Sequence, residues 1–314
     1  MGINNIPPLF GIVGDVTVSE LSAGHINRTF LVESGGQRYI LQSLNTEIFR
    51  RPETVMSNIA LVERAVSKQS DVAVPRYLTA GDRSFVSVDG EIWRMYGYTE
   101  KKVQGIELYR SGYAYGAFMR ALNSPEIAAA PAIYGFHDFE RYYLRLEEKC
   151  PDIPAELKNL RERLSCCFAG LPKRIIHGDA KCDNVITGEP STVIDLDTVM
   201  KGYAAIDYGD MIRSAVSSEN ILLAAVKEVT QGFAAGLKGL LTENEISSLY
   251  CGVLWVTGEL AVRYLTDFYS GERYFRSKTR EQCRERSEQL IAQLEMFTAA
   301  ESGITEIIKR SFNE

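Results

Sequence analysis

The feature that most constrains the fold is one segment in which short apolar runs alternate with acidic and amide residues. Residues 175–186 read Ile-Ile-His-Gly-Asp-Ala-Lys-Cys-Asp-Asn-Val-Ile, and residues 193–197 read Val-Ile-Asp-Leu-Asp. The apolar runs are too short for helices but suit the strands of a small sheet. The segment therefore predicts strand, loop, strand, turn and strand, with polar side chains gathered between the strands.

The polar side chains of this segment are those that phosphoryl transfer needs. Such a reaction requires a carboxylate that orients the attacking hydroxyl and oxygen ligands that hold magnesium against the phosphates. We predict Asp179 as the base and Asn184 and Asp195 as metal ligands. Asp197 follows Asp195 by two residues, on the same side of an extended strand, and is predicted as a further metal ligand.

Two more residues of the loop are predicted to take part. Lys181 lies between the base and the first metal ligand, where its ammonium offsets charge on the transferring phosphoryl group. His177 is grouped with the catalytic residues because it fixes the loop by hydrogen bonding. A single Asp is most often a cap or a turn residue. The joint pattern HGDxKxxN followed by IDxD is too long and too ordered for that explanation.

The rest of the chain divides into a β-rich part and a helix-rich part. A helix beginning near Arg51 is predicted among β-prone runs at 16–21, 28–33, 38–44, 84–88 and 91–98. Further helices are expected at 108–122, 139–169, 206–217, 220–238, 243–268 and 280–299. The predicted fold class is α+β: a protein-kinase-like two-lobed fold with a small five-stranded antiparallel N-lobe and a mainly helical C-lobe. We expect a nucleotide-binding lobe at 1–98 and a catalytic and substrate-binding lobe at 99–314.

The turn between the first two predicted strands is a candidate cover for phosphates. It holds one glycine rather than a repeated set, so an ordinary hairpin is an equally good interpretation. The chain has no P-loop and no GxGxxG that opens a helix after a strand. The residues predicted to contact the nucleotide are Ser22, Gly24, His25, Asn27, Thr29, Gln42, Tyr96 and Tyr98.

Charge and cysteine usage exclude several classes of partner. The 314 residues carry a formal charge of -6, which gives no general attraction to nucleic acid or anionic membrane. No segment has the length and apolar character of a signal peptide or a membrane span. The six cysteines form no CxxC pair. We therefore predict a cytoplasmic protein with reduced thiols and a small-molecule substrate, and the sequence leaves its oligomeric state open.

Beyond these arguments, HGDAKCDN and IDLD resemble motifs of the aminoglycoside phosphotransferase and choline kinase superfamily, most of all those of bacterial N-acetylhexosamine 1-kinases. GHINRTF, YILQSLN, YGFHDF and ELAVRYLTDFYSGERYF resemble segments of that group in the same order. The resemblance implies ATP- and magnesium-dependent phosphorylation of the anomeric hydroxyl of N-acetylglucosamine or N-acetylgalactosamine. It also implies that His25, Asp179, Arg263 and Tyr274 contact the sugar.

The chain departs from the expected patterns at two places, once from the general kinase pattern and once from that of the sugar-kinase group. Gln42 occupies the strand position where many kinases have a phosphate-pairing Lys, so Lys181 would supply that charge. Glu63 on the following helix then lacks its usual Lys partner and is interpreted as a surface charge. The sugar-kinase group tends to have an aromatic residue near the C-terminus, where this chain offers Phe297 and Phe312.

These departures leave alternatives open. One alternative is a kinase of choline, homoserine or an aminoglycoside. Another is a pseudokinase that binds nucleotide without turnover. Without the resemblance, Arg263 would be interpreted as part of a helix ion pair and Tyr274 as a core aromatic.

Overall fold

The N-terminal lobe is an antiparallel sheet of five strands in the order β1-β2-β3-β5-β4, with one helix. A computed structural model describes residues 2–21, 26–100, 105–123, 127–216, 222–270, 274–275 and 278–313. The strands are β1 (Val16–Leu21), β2 (Arg28–Ser34), β3 (Gln37–Leu44), β4 (Val86–Val88) and β5 (Glu91–Gly97), and helix α1 (Pro52–Val66) follows β3. The predicted strands, helix and fold class are confirmed, whereas the division at residue 98 stays a prediction.

The C-terminal lobe is mainly helical. Its helices are α2 (Leu108–Leu122), α3 (Phe139–Glu147), α4 (Ala155–Leu164), α5 (Ala204–Ala215), α6 (Leu222–Leu237), α7 (Glu243–Tyr269), α8 (Arg280–Ala299) and α9 (Glu301–Asn313). Four short strands interrupt them: β6 (Arg174–Ile176) pairs with β9 (Met200–Gly202), and β7 (Val185–Ile186) pairs with β8 (Thr192–Val193). No helix in the described part of the chain is long and apolar enough to cross a bilayer.

One helical prediction needs correction, and one helix was not predicted. Residues 139–169 were predicted as helical throughout, but they form α3 and α4 with a break between them. The break contains Pro151 and Pro154, and proline lacks the N–H that a helix interior uses. Helix α9 has no counterpart among the predicted helices, although its buried Ile304 and Ile308 show the four-residue spacing of one helix face.

The two faces of the N-lobe sheet have different environments. Its outer face packs in an apolar cluster made of Ile6, Phe10, Phe30, Val32, Leu41, Trp93 and Met95. Because side chains alternate along a strand, Thr29, Gln42 and Arg94 point to the opposite face, toward the C-lobe. Helix α1 joins the C-lobe core, and its Asn58 donates to the carbonyls of Ala130 and Val199 at 2.7 and 2.9 Å. The inner face of the sheet thereby faces the C-lobe segment 175–197, which Arg94 contacts through Asp197.

Helices α2 and α6 are in backbone contact because each presents two glycines to the other. A Cβ atom added to Gly112 or Gly116 would collide with a carbonyl oxygen of α6, and one added to Gly232 or Gly236 would collide with a carbonyl oxygen of α2. Helix α2 also reaches the catalytic segment, since the Tyr115 hydroxyl donates to the carbonyl of Lys181 at 2.8 Å. The close approach of these helices therefore supports the loop that carries the predicted base.

Candidate active site

Residues 177–184 form a loop between β6 and β7, and side chains from later in the chain hold its start. The Asp207 carboxylate of α5 accepts hydrogen bonds from the backbone N–H groups of His177 and Gly178 at 2.7 and 2.8 Å. The Thr198 hydroxyl donates to the carbonyl of His177 at 2.9 Å. The backbone immediately before Asp179 is therefore held from two directions. Asp207 was not singled out from the sequence, although an Asp within the apolar run of α5 was a usable signal.

Two residues of the loop have strict local requirements. His177 is fully buried, and its Nε2 lies 2.9 Å from the carbonyl oxygen of Ile194. Gly178 has φ +80°, and a Cβ atom there would lie 2.6 Å from the carbonyl oxygen of Thr198. Only glycine adopts this conformation in this space without strain. His177 is thus part of the hydrogen bonding that shapes the loop, and its catalytic assignment stays a prediction.

The predicted base lies beside a cation and an amide. The Lys181 ammonium is 2.9 Å from Oδ2 of Asp179, and Asn184 Nδ2 donates to the same oxygen at 3.1 Å. Asn184 Nδ2 also donates to the Asp179 carbonyl at 2.9 Å. Burial raises the pKa of Asp179, but the charge and hydrogen bond of Lys181, together with the charge of Arg213 and other nearby groups, lower it by more, so the net pKa is lowered. The carboxylate is therefore ionised at neutral pH and open to an acceptor hydroxyl, with its side chain 31% exposed.

The prediction that Asp195 and Asp197 share one side of an extended strand is wrong. Strand β8 ends at Val193, Asp195 has φ +61°, and residues 196–198 form a short 3-10 turn. The two carboxylates consequently have different surroundings. The protein packed around Asp195, with the charges of Asp197 and Asp179, raises the pKa of Asp195 to about 6. Asp195 is nevertheless exposed to solvent.

Asp197 is buried and paired with Arg94 from the N-lobe sheet. The Arg94 guanidinium contacts Oδ1 at 2.5 Å and Oδ2 at 2.9 Å, and Asn27 Nδ2 donates to Oδ2 at 2.8 Å. Both charged side chains are almost completely buried, with 2% and 3% exposed. This geometry favours a supporting role for Asp197 over direct metal ligation, which stays an untested prediction.

Two of the residues predicted to bind nucleotide, Thr29 and Gln42, lie side by side across the sheet, and Arg94 is next to them on β5. Gln42 Nε2 donates to the Thr29 hydroxyl at 3.1 Å, while Gln42 Oε1 accepts from Arg94 at 2.8 Å. Many kinases have a Lys at the position of Gln42. Here the positive charge is that of Arg94 on the adjacent strand β5. Sequence reasoning missed Arg94, although a lone Arg between Trp93 and Met95 in a strand was a signal. Glu63 is not a surface charge, because it is half-buried and accepts the Tyr77 N–H at 2.9 Å.

The remaining predicted nucleotide contacts lie apart from these side chains or outside the described residues. Tyr96 is half-buried near the end of β5, with its ring centroid 4.8 Å from that of Tyr77. Tyr98 follows β5, and its ring is covered by Arg38 at 4.5 Å. The predictions for Ser22, Gly24 and His25 fall on residues that the structure does not describe.

A cleft of about 620 Å³ opens next to Asp179 on the C-lobe side. Arg263 and Tyr274 both line it, so residues 84 and 95 positions away in the sequence meet beside the predicted base. The Arg263 guanidinium is nearly buried, 10% exposed, and its Nη1 lies 3.5 Å from Oε1 of Glu259. Four aromatic rings surround it at 4.6–5.5 Å: Phe136, Tyr142, Tyr274 and Phe275.

Two cleft residues were not singled out from the sequence. His137 and Glu259 are buried side by side, with Nδ1 of the imidazole 3.1 Å from Oε2 of the carboxylate. The other imidazole nitrogen, Nε2, lies 2.7 Å from the carbonyl oxygen of Gly178. No local sequence pattern predicts these contacts, because they join parts of the chain that are more than 40 residues apart.

The oxygen donors of the site fit a magnesium ion. The described residues contain no group of three or more His, Cys, Asp or Glu that would hold a metal. Magnesium, however, keeps several waters and takes only one or two protein oxygens beside the phosphates. Among the described residues, none donates a hydrogen bond to the Asp195 carboxylate, and Asn184 directs its Nδ2 to Asp179. Asp195 and the amide oxygen of Asn184 are therefore the groups that would hold the ion.

The two-lobed fold and the loop 177–184 define a phosphotransferase of the protein-kinase-like class. The family model described as "Phosphotransferase enzyme family" matches residues 17–237, and the chain belongs to this family. It is a kinase-like phosphotransferase that acts on the hydroxyl group of a small molecule. The predicted superfamily and fold class are thereby confirmed.

Solved structures similar to this chain cover nearly its whole length. A microcompartment-associated aminopropanol kinase has a TM-score of 0.67 and 17% identity, covering 94% of this chain and 96% of that one. A choline/ethanolamine kinase family protein from Mesorhizobium loti has a TM-score of 0.64 and 16% identity, with 97% and 96% covered. A spectinomycin phosphotransferase, solved with ADP and spectinomycin, has a TM-score of 0.62 and 13% identity, with 95% and 98% covered. At these identities the likeness concerns the fold.

Proposed function

We propose that this phosphotransferase uses magnesium-ATP to phosphorylate the anomeric hydroxyl of N-acetylglucosamine or N-acetylgalactosamine. The motif resemblance supports the sugar, and the ADP in the similar spectinomycin phosphotransferase structure supports an adenine nucleotide as donor. The observation that carries the choice of a neutral, oxygen-rich acceptor is the environment of Arg263.

Arg263 occupies the aromatic surroundings that a cationic acceptor would need. Quaternary and primary ammonium groups are recognised by the faces of aromatic rings. The four rings beside the cleft already receive the Arg263 guanidinium, at 4.6 Å from Tyr274 and 5.2 Å from Tyr142. A choline-like group would meet a buried positive charge instead of an empty pocket, so the pocket disfavours it.

The hydrogen-bonding capacity of Arg263 suits sugar oxygens. A guanidinium has five N–H donors and no acceptor. Within the described residues its hydrogen-bonding partners are Glu259, at 3.5 Å, and the Tyr274 side chain. The remaining donors are available to hydroxyl and acetamido oxygens. Two of the nearby carboxylates are paired within the protein, since Asp210 contacts Arg213 at 2.6 Å and Glu259 contacts His137 at 3.1 Å.

The residues of the site divide the work of transfer among them. Asp179 orients the acceptor hydroxyl and takes its proton, which its ionised carboxylate permits. Lys181, 2.9 Å from that carboxylate, offsets charge on the phosphoryl group as it moves. Asn184 and Asp195 would hold a magnesium ion, which would neutralise charge on the phosphates. Positioning and electrostatics provide most of the acceleration.

The test is ADP release with magnesium-ATP across a panel of acceptors. The panel holds N-acetylglucosamine, N-acetylgalactosamine, glucose, galactose, choline, homoserine, kanamycin and 1-amino-2-propanol. We expect turnover on the N-acetyl sugars, with Asp179→Asn lowering kcat by orders of magnitude while ATP binding stays nearly intact. Asp183→Asn is the matched control, because it makes the same change at an exposed residue of the same loop.

Each other outcome has a definite meaning. Turnover on an amine instead would keep the phosphotransferase and reject the sugar. Binding of magnesium-ATP with no ADP release on any acceptor would favour the pseudokinase alternative. Near-normal turnover by Asp179→Asn would remove Asp179 from the role of base.

A further inference from the structure

His137 lies between the acceptor side of the cleft and the catalytic loop. Its Nδ1 is 3.1 Å from Oε2 of Glu259 on α7, and its Nε2 is 2.7 Å from the carbonyl oxygen of Gly178. The side chain is 8% exposed, and that of Glu259 is 2% exposed. Oε1 of Glu259 faces Arg263 at 3.5 Å. One continuous set of contacts thus leads from Arg263 to the residue before the predicted base.

The backbone of His137 is held in an unfavourable conformation. Its φ is +59°, a region that residues with a Cβ atom adopt uncommonly. Its carbonyl accepts a hydrogen bond from Nε1 of Trp255 at 3.2 Å. Strained backbone persists where surrounding contacts determine it, and such positions cluster at functional sites. The fold therefore maintains this imidazole orientation at a conformational cost.

The contact to Gly178 completes the restraint on the loop. Asp207 holds the N–H groups of His177 and Gly178, and Thr198 holds the carbonyl of His177. His177 and Gly178 have four polar backbone groups, and these contacts account for three of them. The fourth is the Gly178 carbonyl, whose oxygen lies 2.7 Å from Nε2 of His137. His137, like Thr198, lines the acceptor cleft, so this contact joins the cleft wall to the loop.

We propose that His137 is a positioning residue, whose imidazolium joins Glu259 to the Gly178 carbonyl and so sets the position of Asp179 relative to the acceptor. The inference rests on the proposed role of Asp179 as base. It does not depend on which acceptor is used, because His137 acts through the loop backbone.

The two partners of the ring require both of its nitrogens to carry protons. A carbonyl oxygen and an ionised carboxylate only accept hydrogen bonds, and a neutral imidazole has one N–H. Burial lowers the pKa of His137, but Glu259 outweighs it, with the Gly178 carbonyl and Asp210 adding to the rise. The charged groups around the ring are thus Glu259 and, through it, Arg263 on α7, and Asp207 and Asp210 on α5.

The sign of the pH dependence follows from this arrangement. Because the folded pKa lies above the ordinary value of 6.5, the contribution of the charged ring is complete below pH 6.5. It is lost as pH rises through the raised pKa. The ring then faces either the carboxylate or the carbonyl with a lone pair, and the loop contact weakens.

The first test reads the imidazole directly and needs no turnover. Heteronuclear NMR of the full-length protein, with His137→Gln to assign the signal, follows protonation of both ring nitrogens between pH 5 and pH 9. We expect a doubly protonated ring at neutral pH and a midpoint above 6.5, moved downward in Glu259→Gln. A ring that is neutral at pH 7 would overturn the proposal.

The second test separates positioning from binding. We expect His137→Gln to lower kcat by about 10- to 100-fold, since small misplacements of a reacting group have effects of that size, with KM for ATP nearly unchanged. Glu259→Gln should remove the loss of kcat expected at alkaline pH, because its amide can donate to Nδ1 of a neutral ring whose Nε2–H still faces the Gly178 carbonyl. Tyr208→Phe is the control, since it removes a different buried hydrogen bond, 2.7 Å to Thr230, away from the cleft.

The outcomes distinguish this proposal from the proposed function. An unchanged kcat and pH profile in His137→Gln, on whichever acceptor is turned over, would reject the positioning role. If no acceptor in the panel is phosphorylated, the sugar kinase proposal fails alone, and the NMR titration still decides the charge state of His137. A loss of activity in Tyr208→Phe equal to that in His137→Gln would show a general loss of structure and would also overturn the proposal.

Discussion

The acidic residues around the cleft differ in how their charge is balanced. Asp179 lies against Lys181 at 2.9 Å, and Asp197 is enclosed by Arg94. Asp195 has no ion pair among the described residues, and its pKa is raised to about 6. A buried or crowded charge without a partner is unfavourable unless a cation arrives. Asp195 is therefore the carboxylate that gains most from magnesium.

Replacement of Asp195 tests this assignment. We expect Asp195→Ala to abolish the increase in nucleotide affinity that magnesium provides, while binding without the metal changes little. Isothermal titration of ADP with and without magnesium chloride measures the difference. The matched control is Asp183→Ala, which removes an exposed carboxylate from the same loop. A variant of Asp195 that still binds magnesium-ADP like the parent would contradict the metal site.

Residues whose role depends on neighbours in the sequence were predictable, and those that depend on distant contacts were not. Asp179, Lys181 and Asn184 come together because they share one short loop. Arg94 and His137 act on atoms 103 and 41 residues away, and no local pattern encodes those distances. The prediction that Asp195 and Asp197 share one side of a strand was wrong for a related reason. The positive φ of Asp195 ends the alternation of side chains that a strand would give.

At the scale of secondary structure, the close contact between α2 and α6 predicts how a substitution in it changes the stability of the protein. Gly116→Ala should destabilise the protein by about 1–3 kcal/mol or more, because the added methyl group meets the backbone of α6 and rigid backbone cannot move aside. Urea unfolding followed by far-UV circular dichroism measures the change. We also expect reduced turnover, since α2 supports the loop through the bond from Tyr115 to the Lys181 carbonyl.

The control for this prediction is another helical glycine. Gly303 in α9 has only the flexible side chain of Leu223 near the added methyl, at 3.0 Å. Gly303→Ala should be neutral or stabilise by up to about 1 kcal/mol through helix propensity. If both substitutions had the same effect, the close approach of α2 and α6 would not explain the result.

The limits of predicting elements from sequence follow from local chemistry. Strands β1 to β5 and helix α2 were predicted because alternating or helical apolar spacing was bounded by turn residues. The division between α3 and α4 was missed although Pro151 and Pro154 mark it, because charged helical spacing continues on both sides. Helix α9 was missed because only two of its residues, Ile304 and Ile308, are buried.

In the whole molecule, the buried pair of Arg94 and Asp197 connects the two lobes at the site. Arg94 belongs to β5 of the N-lobe, and Asp197 follows β8 of the C-lobe. Asn27 adds a second N-lobe contact to the same carboxylate at 2.8 Å. The position of the N-lobe sheet relative to the segment 175–197 therefore depends on an ion pair as well as on apolar packing.

Removing one partner of this pair should be costly. We expect Asp197→Leu or Arg94→Met alone to destabilise by about 3–5 kcal/mol, because each leaves an uncompensated buried charge. The double variant should lose much less than the sum of the two, since both charges are then absent. Denaturant unfolding of the four proteins measures the coupling. Additive losses would show that the two side chains do not stabilise the folded state as a pair.

The surroundings of Arg263 also bear on how acceptor preference diverges within such a fold. Four aromatic rings already stand around a site of the right size for a positive group, and the protein's own guanidinium occupies it. Replacement of Arg263 by alanine would leave these four rings around an empty site that an organic amine could occupy. At this position an arginine codon becomes an alanine codon through two nucleotide changes, so a single residue separates an occupied aromatic site from an empty one.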